Sequence, residues 1–476
     1  MSARLLRRES PDMRAGSLHA RGLEARARGR ADWAVTLLRR AAEAEPERAD
    51  ILCDLGNALK AVGRHAEAVA CHEAVVALAP DAAPAYANLG AALNAAGDHD
   101  AAIVCYRRAL ARWPEHAELH YNLGGALAAA RRFADAEAAY RAALDFKPDH
   151  ARAGVNLGAV LRDQGKRAEA IATLRVAVAR APADADAHWN LALALLTAGD
   201  DAAGWAEYEW RRRIPDFAMP RLPMPAWDGS PLAGRRLVVH AEQGLGDTLQ
   251  FARYVALIDG EAMLACQKPL APLLGAALAP LRVIALGEKI RCDVQTSLLS
   301  LPHLLKCAAP TAPYLRPDPA RIARWRARLG TTGLRIGIAW QGNPAYPADW
   351  RRSAPLAAFA PLAALPNVRL IALQKDADGA APFALTVFAD LDRDAAFADS
   401  AAIIASLDAV VATDSAIAHL AGALGARTCL ALGDVPDWRW GLAGDVTPWY
   451  GAMRLYRQPY QGDWGAVFAA IAASFR

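Results

Sequence analysis

Asp247 follows a Gly-Leu-Gly triplet in "AEQGLGDTLQF" (241–251), after an apolar run that opens at Leu237 and before a helical pattern over Thr248 to Leu257. Glycine tolerates positive φ and close backbone approach, so Gly244 and Gly246 at a strand-to-helix turn predict a loop thinned to admit something, with Asp247 at its lip. Asp247 also reads as a helix N-cap, because a carboxylate accepts hydrogen bonds from the first free amides of a helix. A dinucleotide fingerprint is excluded, since Leu249 stands where its third glycine belongs. A phosphate-cradling Walker loop is excluded too, because the chain contains no Gly-Lys-Ser/Thr triplet.

A second constellation lies in "LDAVVATDSAIAHLAGALG" (407–425), which reads as a buried parallel strand over Ala409 to Thr413, a cap at Asp414 or Ser415, and a helix stopped by Gly425. A helix that starts at the carboxyl end of such a strand aims its free amides at the crevice above the sheet, where an anion such as a diphosphate is stabilised. Ser415 and His419 are four apart and share one face of the first turns, so both can meet one phosphate. The other reading of His419 is a satisfied interior histidine. Two further loops open at the same edge. "WQGNP" (340–344) follows Arg335 to Trp340 and leads to Arg351, Arg352 and Ser353, and "LQKD" (373–376) follows Arg369 to Leu373. Lys375 supplies a compact positive charge, while Asn343 and Gln374 supply hydrogen bonds to a sugar or base.

The elements that carry these residues belong to the second half of a chain of 476 residues, long enough at 54% hydrophobic content for two or three domains. Its net charge of +4 is close to balance, which argues against nucleic acid as the main partner. Seven cysteines without a Cys-x-x-Cys pair fit a reducing compartment. The start has no apolar core long enough for a signal peptide and no later run reaches a membrane-spanning length, so the sequence predicts a soluble, cytoplasmic protein with no membrane span.

In the first half, Leu-Gly recurs at residues 55, 89, 123 and 157, a step of 34, and proline keeps the same step at Pro46, Pro80, Pro114, Pro148 and Pro182. Between them fall Ala34, Ala68, Ala102, Ala136 and Ala170, each followed four residues later by Leu38, His72, Tyr106, Tyr140 or Leu174. This is the tetratricopeptide pattern of paired helices, with small residues where the helices touch. It predicts about six units over 15–218, after a tail at 1–14. Such an array forms a binding surface for an extended partner and has no chemistry of its own. His116 and His120 beside Glu118 resemble a metal pair but straddle a repeat boundary, and are read as packing. A proline-rich linker spans 219–234. Beyond it, β-rich runs at Leu237 to Ala241, Ala262 to Cys266, Val283 to Leu286, Arg335 to Trp340, Arg369 to Leu373, Ala409 to Thr413 and Thr428 to Leu432 alternate with helical segments. They predict parallel α/β sheets in two lobes, 235–325 and 326–476.

From about residue 204 onward the motifs "AEQGLGDTLQFARY", "WQGNP" with "RRS", "LQK", "DSAIAHLAGALG", "VPDWRW" and "WYGAMRLYRQ" resemble, in order, those of bacterial tetratricopeptide-repeat proteins with a GT-B type glycosyltransferase domain. That family is similar to the lipopolysaccharide heptosyltransferases and distantly to the O-GlcNAc transferases. The resemblance implies an α-solenoid followed by two facing Rossmann-like lobes. A nucleotide-sugar donor would be held by Gly244, Gly246, Gln341, Asn343, Arg352, Gln374, Lys375, Asp414, Ser415 and His419. Asp247 matches the family's Gly-Asp, whose aspartate acts as general base on the acceptor hydroxyl. It further implies inverting transfer without a metal or other cofactor, to a protein or peptide acceptor on the array, flagellin being the example the family offers. A cell-surface polysaccharide intermediate as acceptor, or a scaffold whose transferase half has lost turnover, are the alternatives. Asp376 and Asp378, and Asp390, Asp392 and Asp394, mimic the metal-holding Asp-x-Asp of another transferase fold, and are read as solvated acids.

Overall fold

The computed structural model describes residues 15–476 except 216, 218, 221, 290, 376–380 and 394–396, so the expected tail at 1–14 lies outside the described residues. Contacts divide the chain into two compact units, one ending at Asn190 and the other beginning at Leu191.

The first unit is a run of helices: α1 (Ala15–Ala27), α2 (Ala31–Ala44), α3 (Ala49–Ala61), α4 (His65–Leu78), α5 (Ala83–Ala95), α6 (His99–Leu110), α7 (Ala117–Ala129), α8 (Phe133–Phe146), α9 (Ala151–Asp163), α10 (Arg167–Arg180) and the start of α11 (Ala185–Ala198). The 34-residue period has a steric cause. Ala34, Ala68, Ala102, Ala136 and Ala170 are all fully buried. The glycine of each Leu-Gly lies under the large residue of the next helix, so a Cβ on Gly56 would come 2.6 Å from the His72 ring and one on Gly124 2.7 Å from Tyr140. His120 is held by packing, as the repeat position requires. Its Nε2 lies 2.7 Å from the Pro114 carbonyl, just as Tyr86 donates to Pro80 at 3.3 Å and His188 bonds Pro182 at 3.1 Å. His116 caps α7 by accepting from the Leu119 amide.

The second unit opens with the rest of α11, then α12 (Asp201–Tyr208) and a 3₁₀ turn, Glu209–Arg213. It then holds β1 (Leu237–His240), α13 (Leu245–Phe251), β2 (Ala262–Cys266), α14 (Ala271–Ala277), β3 (Arg282–Ala285), β4 (Val294–Ser297), α15 (Leu301–Leu305), α16 (Pro319–Leu329) and β5 (Leu334–Ala339). After these come α17 (Ala360–Ala363), β6 (Val368–Ala372), β7 (Leu385–Thr386), α18 (Ala398–Ile404), β8 (Ala409–Thr413), α19 (Ala416–Ala423), β9 (Thr428–Leu432), β10 (Met453–Arg457) and α20 (Trp464–Ala473). Two parallel sheets form, in the orders β3-β2-β1-β4 and β10-β9-β8-β5-β6-β7. In the second, Ile338 of β5 sits between Val411 of β8 and Ala372 of β6, and the fully buried Phe359 and Phe468 pack at 4.0 Å between ring centres in its core. The unit is therefore α/β with its central strands buried between helices.

Three expectations are refined. The helix expected over Thr248 to Leu257 begins three residues earlier, at Leu245, and tightens to a 3₁₀ turn from Ala252, because Asp247 reaches back to the Gly244 amide and sets the start there. Within the 219–234 linker, residues 225–227 are docked: Ala226 bridges Gln295 beside Pro225 and Trp227, which covers the outer edge of β4. The segment 201–213, which ends the array as expected, also packs with the α/β unit through the buried Trp205, Tyr208 and Arg211.

Candidate functional site

In each sheet the strand order reverses beside the lobe's first strand, between β1 and β4 in one and between β5 and β8 in the other. At such a reversal the following connections leave to opposite faces and open a crevice at the carboxyl ends of the strands. The loops after β1, β2, β5, β6, β8 and β9 line a common cleft of about 660 Å³. Every site residue expected from the sequence lines it: Gly244, Gly246, Asp247, Gln341, Asn343, Arg352, Gln374, Lys375, Asp414, Ser415 and His419.

Asp247 has two partners. Its Oδ2 accepts from the Gly244 amide at 2.9 Å, closing the helix cap, and its Oδ1 accepts from the Arg439 guanidinium of the other lobe. Arg439 donates also to Gln250 Oε1 at 2.7 Å and Asp437 Oδ1 at 2.8 Å, so one arginine ties the loop after β9 to the first turn of α13. Burial pushes the Asp247 carboxyl up and the Arg439 charge opposes it. Gly244, and not Asp247, is thus the N-cap residue, and Asp247 braces the cap from the third helical position; each carboxylate oxygen has a further lone pair and the side chain lines the cleft. The glycines act differently from expectation. Neither takes positive φ; Gln243 does, at +59°. Gly246 matters for close approach, since a Cβ there would lie 3.0 Å from the His419 ring and 3.5 Å from Ala416 Cα, where α13 of the first lobe meets α19 of the second.

Ser415, and not Asp414, is the N-cap residue of α19. Its hydroxyl makes no cap bond, and its buried Oγ has no hydrogen-bond partner among the described residues. An orphaned hydroxyl at a helix N-terminus facing a cleft is a donor waiting for an anion. Burial and then the neighbouring Asp437 push Asp414 up to about 6. His419 shares a 2.9 Å hydrogen bond between Nδ1 and the Tyr450 hydroxyl and stacks on Trp440. Burial and then Arg439 hold its pKa well below the usual value, so the ring is neutral. It is both a satisfied interior histidine and a cleft wall, able to offer a phosphate a hydrogen bond but no charge.

The loop after β5 is braced by its own polar groups. Gln374 Oε1 accepts from the Gln341 amide at 3.2 Å, Asn343 Oδ1 from the Ala345 amide at 3.0 Å, and Arg352 donates to Asp349 at 3.0 Å while lying over the Tyr346 ring. These side chains thus shape the loops as well as line the cleft. Lys375 is exposed at the rim. The acidic pairs are not simply solvated. Asp390 makes a two-pronged pair with Arg328, and Asp392 accepts from the Asp399 and Ser400 amides and the Ser400 hydroxyl. Asp376, Asp378 and Asp394 lie outside the described residues. Among the described residues no cluster of three or more His, Cys, Asp or Glu is disposed to hold a metal ion, and no helix is long and apolar enough to cross a membrane.

Arg439 and Asp437, inside the motif "VPDWRW", are functional residues that the sequence alone does not single out. Opposite charges alternating with tryptophans are the signature of a charge buried among rings, and Arg439 indeed lies over Trp438 at 4.4 Å. Tyr450, which orients His419, was missed for the same reason inside "WYGAMRLYRQ".

Residues 47–115 match one tetratricopeptide repeat family, and 95–151 and 155–209 match another. The chain is similar to Protein FlbA of Caulobacter vibrioides, at 28% identity over 326 residues, covering 59% of this chain and 53% of that protein. The chain thus spans about half the length of that curated relative. Among solved structures, a thermophilic TPR protein of Thermus thermophilus shares 26% identity with a TM-score of 0.34, covering 38% of this chain and 99% of its own. MamA shares 27% with a TM-score of 0.30, covering 33% of this chain and 93% of its own. The first part of the chain is a tetratricopeptide array, a class of surface that supports protein interaction.

Proposed function

We propose that this protein is a glycosyltransferase of GT-B type that moves a sugar from a nucleotide-sugar donor to a hydroxyl of a protein acceptor engaged by the repeat array. The observation that carries the reading is the convergence of two strand-order reversals, from two parallel sheets, on a cleft lined by Asp247 and every residue expected to hold the donor. The donor diphosphate would lie at the N-terminus of α19, with the Ser415 hydroxyl, neutral His419 and Lys375 around it. Asp247 would take the acceptor proton as the hydroxyl oxygen bonds to the anomeric carbon and the carbon–phosphate oxygen bond breaks. The elevation of its carboxyl by burial makes it a stronger base than a solvated aspartate. Arg439, tied to Asp247, would place positive charge where the leaving diphosphate gains negative charge. The helix dipole, Ser415 and the cations could serve this end without a divalent ion, so turnover should survive EDTA.

A panel of UDP-, ADP-, GDP- and CMP-sugars tests the reading by thermal shift. A true donor at about a hundred times its Kd adds roughly 2.7 kcal/mol to stability. If no nucleotide or nucleotide sugar shifts the melting transition, the donor site is not there. The polysaccharide alternative is distinguished by supplying protein and glycan acceptors to whichever donor binds.

A further inference from the structure

The 241–247 loop is gripped from behind by a segment that the repeat pattern would assign to the array's end. Arg211, in the 3₁₀ turn that follows α12, is completely buried. Its Nε and Nη2 lie 3.2 and 2.7 Å from Glu242 Oε1, its Nη2 donates to Ser297 and Ser300 at 3.1 and 2.9 Å, and its Nη1 donates to the Tyr208 carbonyl at 3.0 Å. Glu242 is the residue before Gln243, whose left-handed φ of +59° is strained for a residue with a side chain. The Gln243 amide donates to the Tyr208 hydroxyl at 3.0 Å, and Gln267 donates to the Gln243 carbonyl at 3.2 Å. On the apolar side, Trp205 of α12 meets Phe251 of α13 at 5.7 Å and Trp438, next to Arg439, at 5.2 Å.

A buried arginine–carboxylate pair rarely improves stability over an apolar contact of similar size, but its fork fixes geometry. Here it fixes the two residues that lead into the Gly-Leu-Gly-Asp turn. We propose that Arg211 and Tyr208 are positioning residues: they hold Glu242 and the strained Gln243 so that Asp247 is set against Arg439 at the cleft. The segment 201–213, which ends the repeat array, is then also a working part of the site. The kinetic part of this inference rests on the transferase reading; the structural part does not.

The test uses the full chain and three variants. Tyr208→Phe removes one hydroxyl and keeps the ring, Arg211→Lys keeps the charge, and Arg211→Met removes it. Hydrogen exchange is read over peptides spanning 241–250 and over the repeat helices. Loss of one positioning hydrogen bond should speed exchange at 242–247 about tenfold in Tyr208→Phe, with the helices of 49–163 unchanged. With the donor identified by the nucleotide panel, kcat for donor hydrolysis should fall about tenfold in Tyr208→Phe while donor KM stays within about twofold. Arg211→Met should lose more, and Arg211→Lys should recover part of that loss. Unchanged exchange at 242–247, or an increase spread evenly over all peptides, would overturn the proposal. If the wild type binds no nucleotide, the transferase reading fails, and the exchange result still decides whether these residues position the loop.

Discussion

Asp247 is held by the Gly244 amide on one oxygen and Arg439 on the other, so its orientation is settled before any substrate arrives. Asp247→Asn can keep one of these bonds but has no basic carboxylate, so turnover should fall by about 10² to 10⁴ while donor affinity by calorimetry stays near wild type. Near-wild-type turnover would leave Asp247 a cap and nothing more. Asp414 gives a second prediction. Raised to about 6 by burial and Asp437, it is largely charged at pH 7.5 and largely neutral at pH 5.5. A nucleoside diphosphate beside it favours the neutral form, so affinity should rise as pH falls through that range, by about tenfold for each unit by which the ligand raises this pKa. The ligand's own phosphate titrates nearby, so the comparison is with Asp414→Asn, which should lose the carboxyl's share of the slope. An identical pH slope in both proteins would mean that Asp414 does not face the phosphates. The raised pKa also has a sign for folding. The native state binds this proton more tightly than the unfolded chain, so the contribution to stability is greatest below about pH 4 and is lost as pH rises through about 6. Position and residue type made Asp247, Ser415 and His419 legible in the sequence. Arg439 was not, because an arginine between tryptophans has no periodicity and declares its role only when the other lobe's Asp247 is placed opposite.

At the scale of elements, legibility followed how strongly burial constrains composition. Ala262–Cys266, Ala409–Thr413 and Thr428–Leu432 are buried parallel strands that read as apolar runs, and the sequence placed them without error. The strand Val294–Ser297 was missed because its polar residues Gln295 and Ser297 satisfy side-chain partners there. Gln295 bonds His240, and Ser297 bonds Glu242 and Arg211. The strand Met453–Arg457 was seen only as a motif, since it alternates with exposed and half-buried positions at the sheet edge. Repeat helices were legible for a steric reason that can be tested at two adjacent glycines. A Cβ on Gly124 would collide with the Tyr140 ring at 2.7 Å, whereas one on Gly125 meets only the Tyr140 hydroxyl at 3.7 Å. Gly124→Ala should therefore destabilise by about 1–3 kcal/mol through overpacking. Gly125→Ala should stabilise by about 0.5–1 kcal/mol because alanine loses less freedom in a helix. Urea unfolding followed by circular dichroism reads both. The same sign at the two positions would mean that helix propensity, and not the ring over Gly124, sets the repeat.

For the whole molecule, the contact division at Asn190 and the repeat pattern ending near 213 make separate predictions about where the chain can be cut. Removing 1–184 keeps α11 intact together with α12, Arg211 and the aromatic cluster around Trp205. This truncation should fold, bind the donor as the full chain does and hydrolyse it slowly. Removing 1–213 takes away Trp205, Tyr208 and Arg211, leaves Glu242 buried without its arginine, and bares the faces of Phe251 and Trp438. Breaking a buried pair by removing one partner costs about 3–5 kcal/mol before the lost ring contacts are counted, so the shorter chain should be unfolded or insoluble. Circular dichroism and gel filtration separate the two outcomes. The longer of the two remaining chains, with only 1–184 removed, then tests the acceptor. A tethered acceptor is presented at an effective concentration of about millimolar when the array's reach suits the span, and that advantage disappears with the array. Transfer to a protein acceptor should be lost on removing 1–184, while donor affinity and hydrolysis persist. If the folded truncation glycosylates its protein acceptor with unchanged kcat/KM, the array does not select the acceptor, and the cleft alone must recognise it.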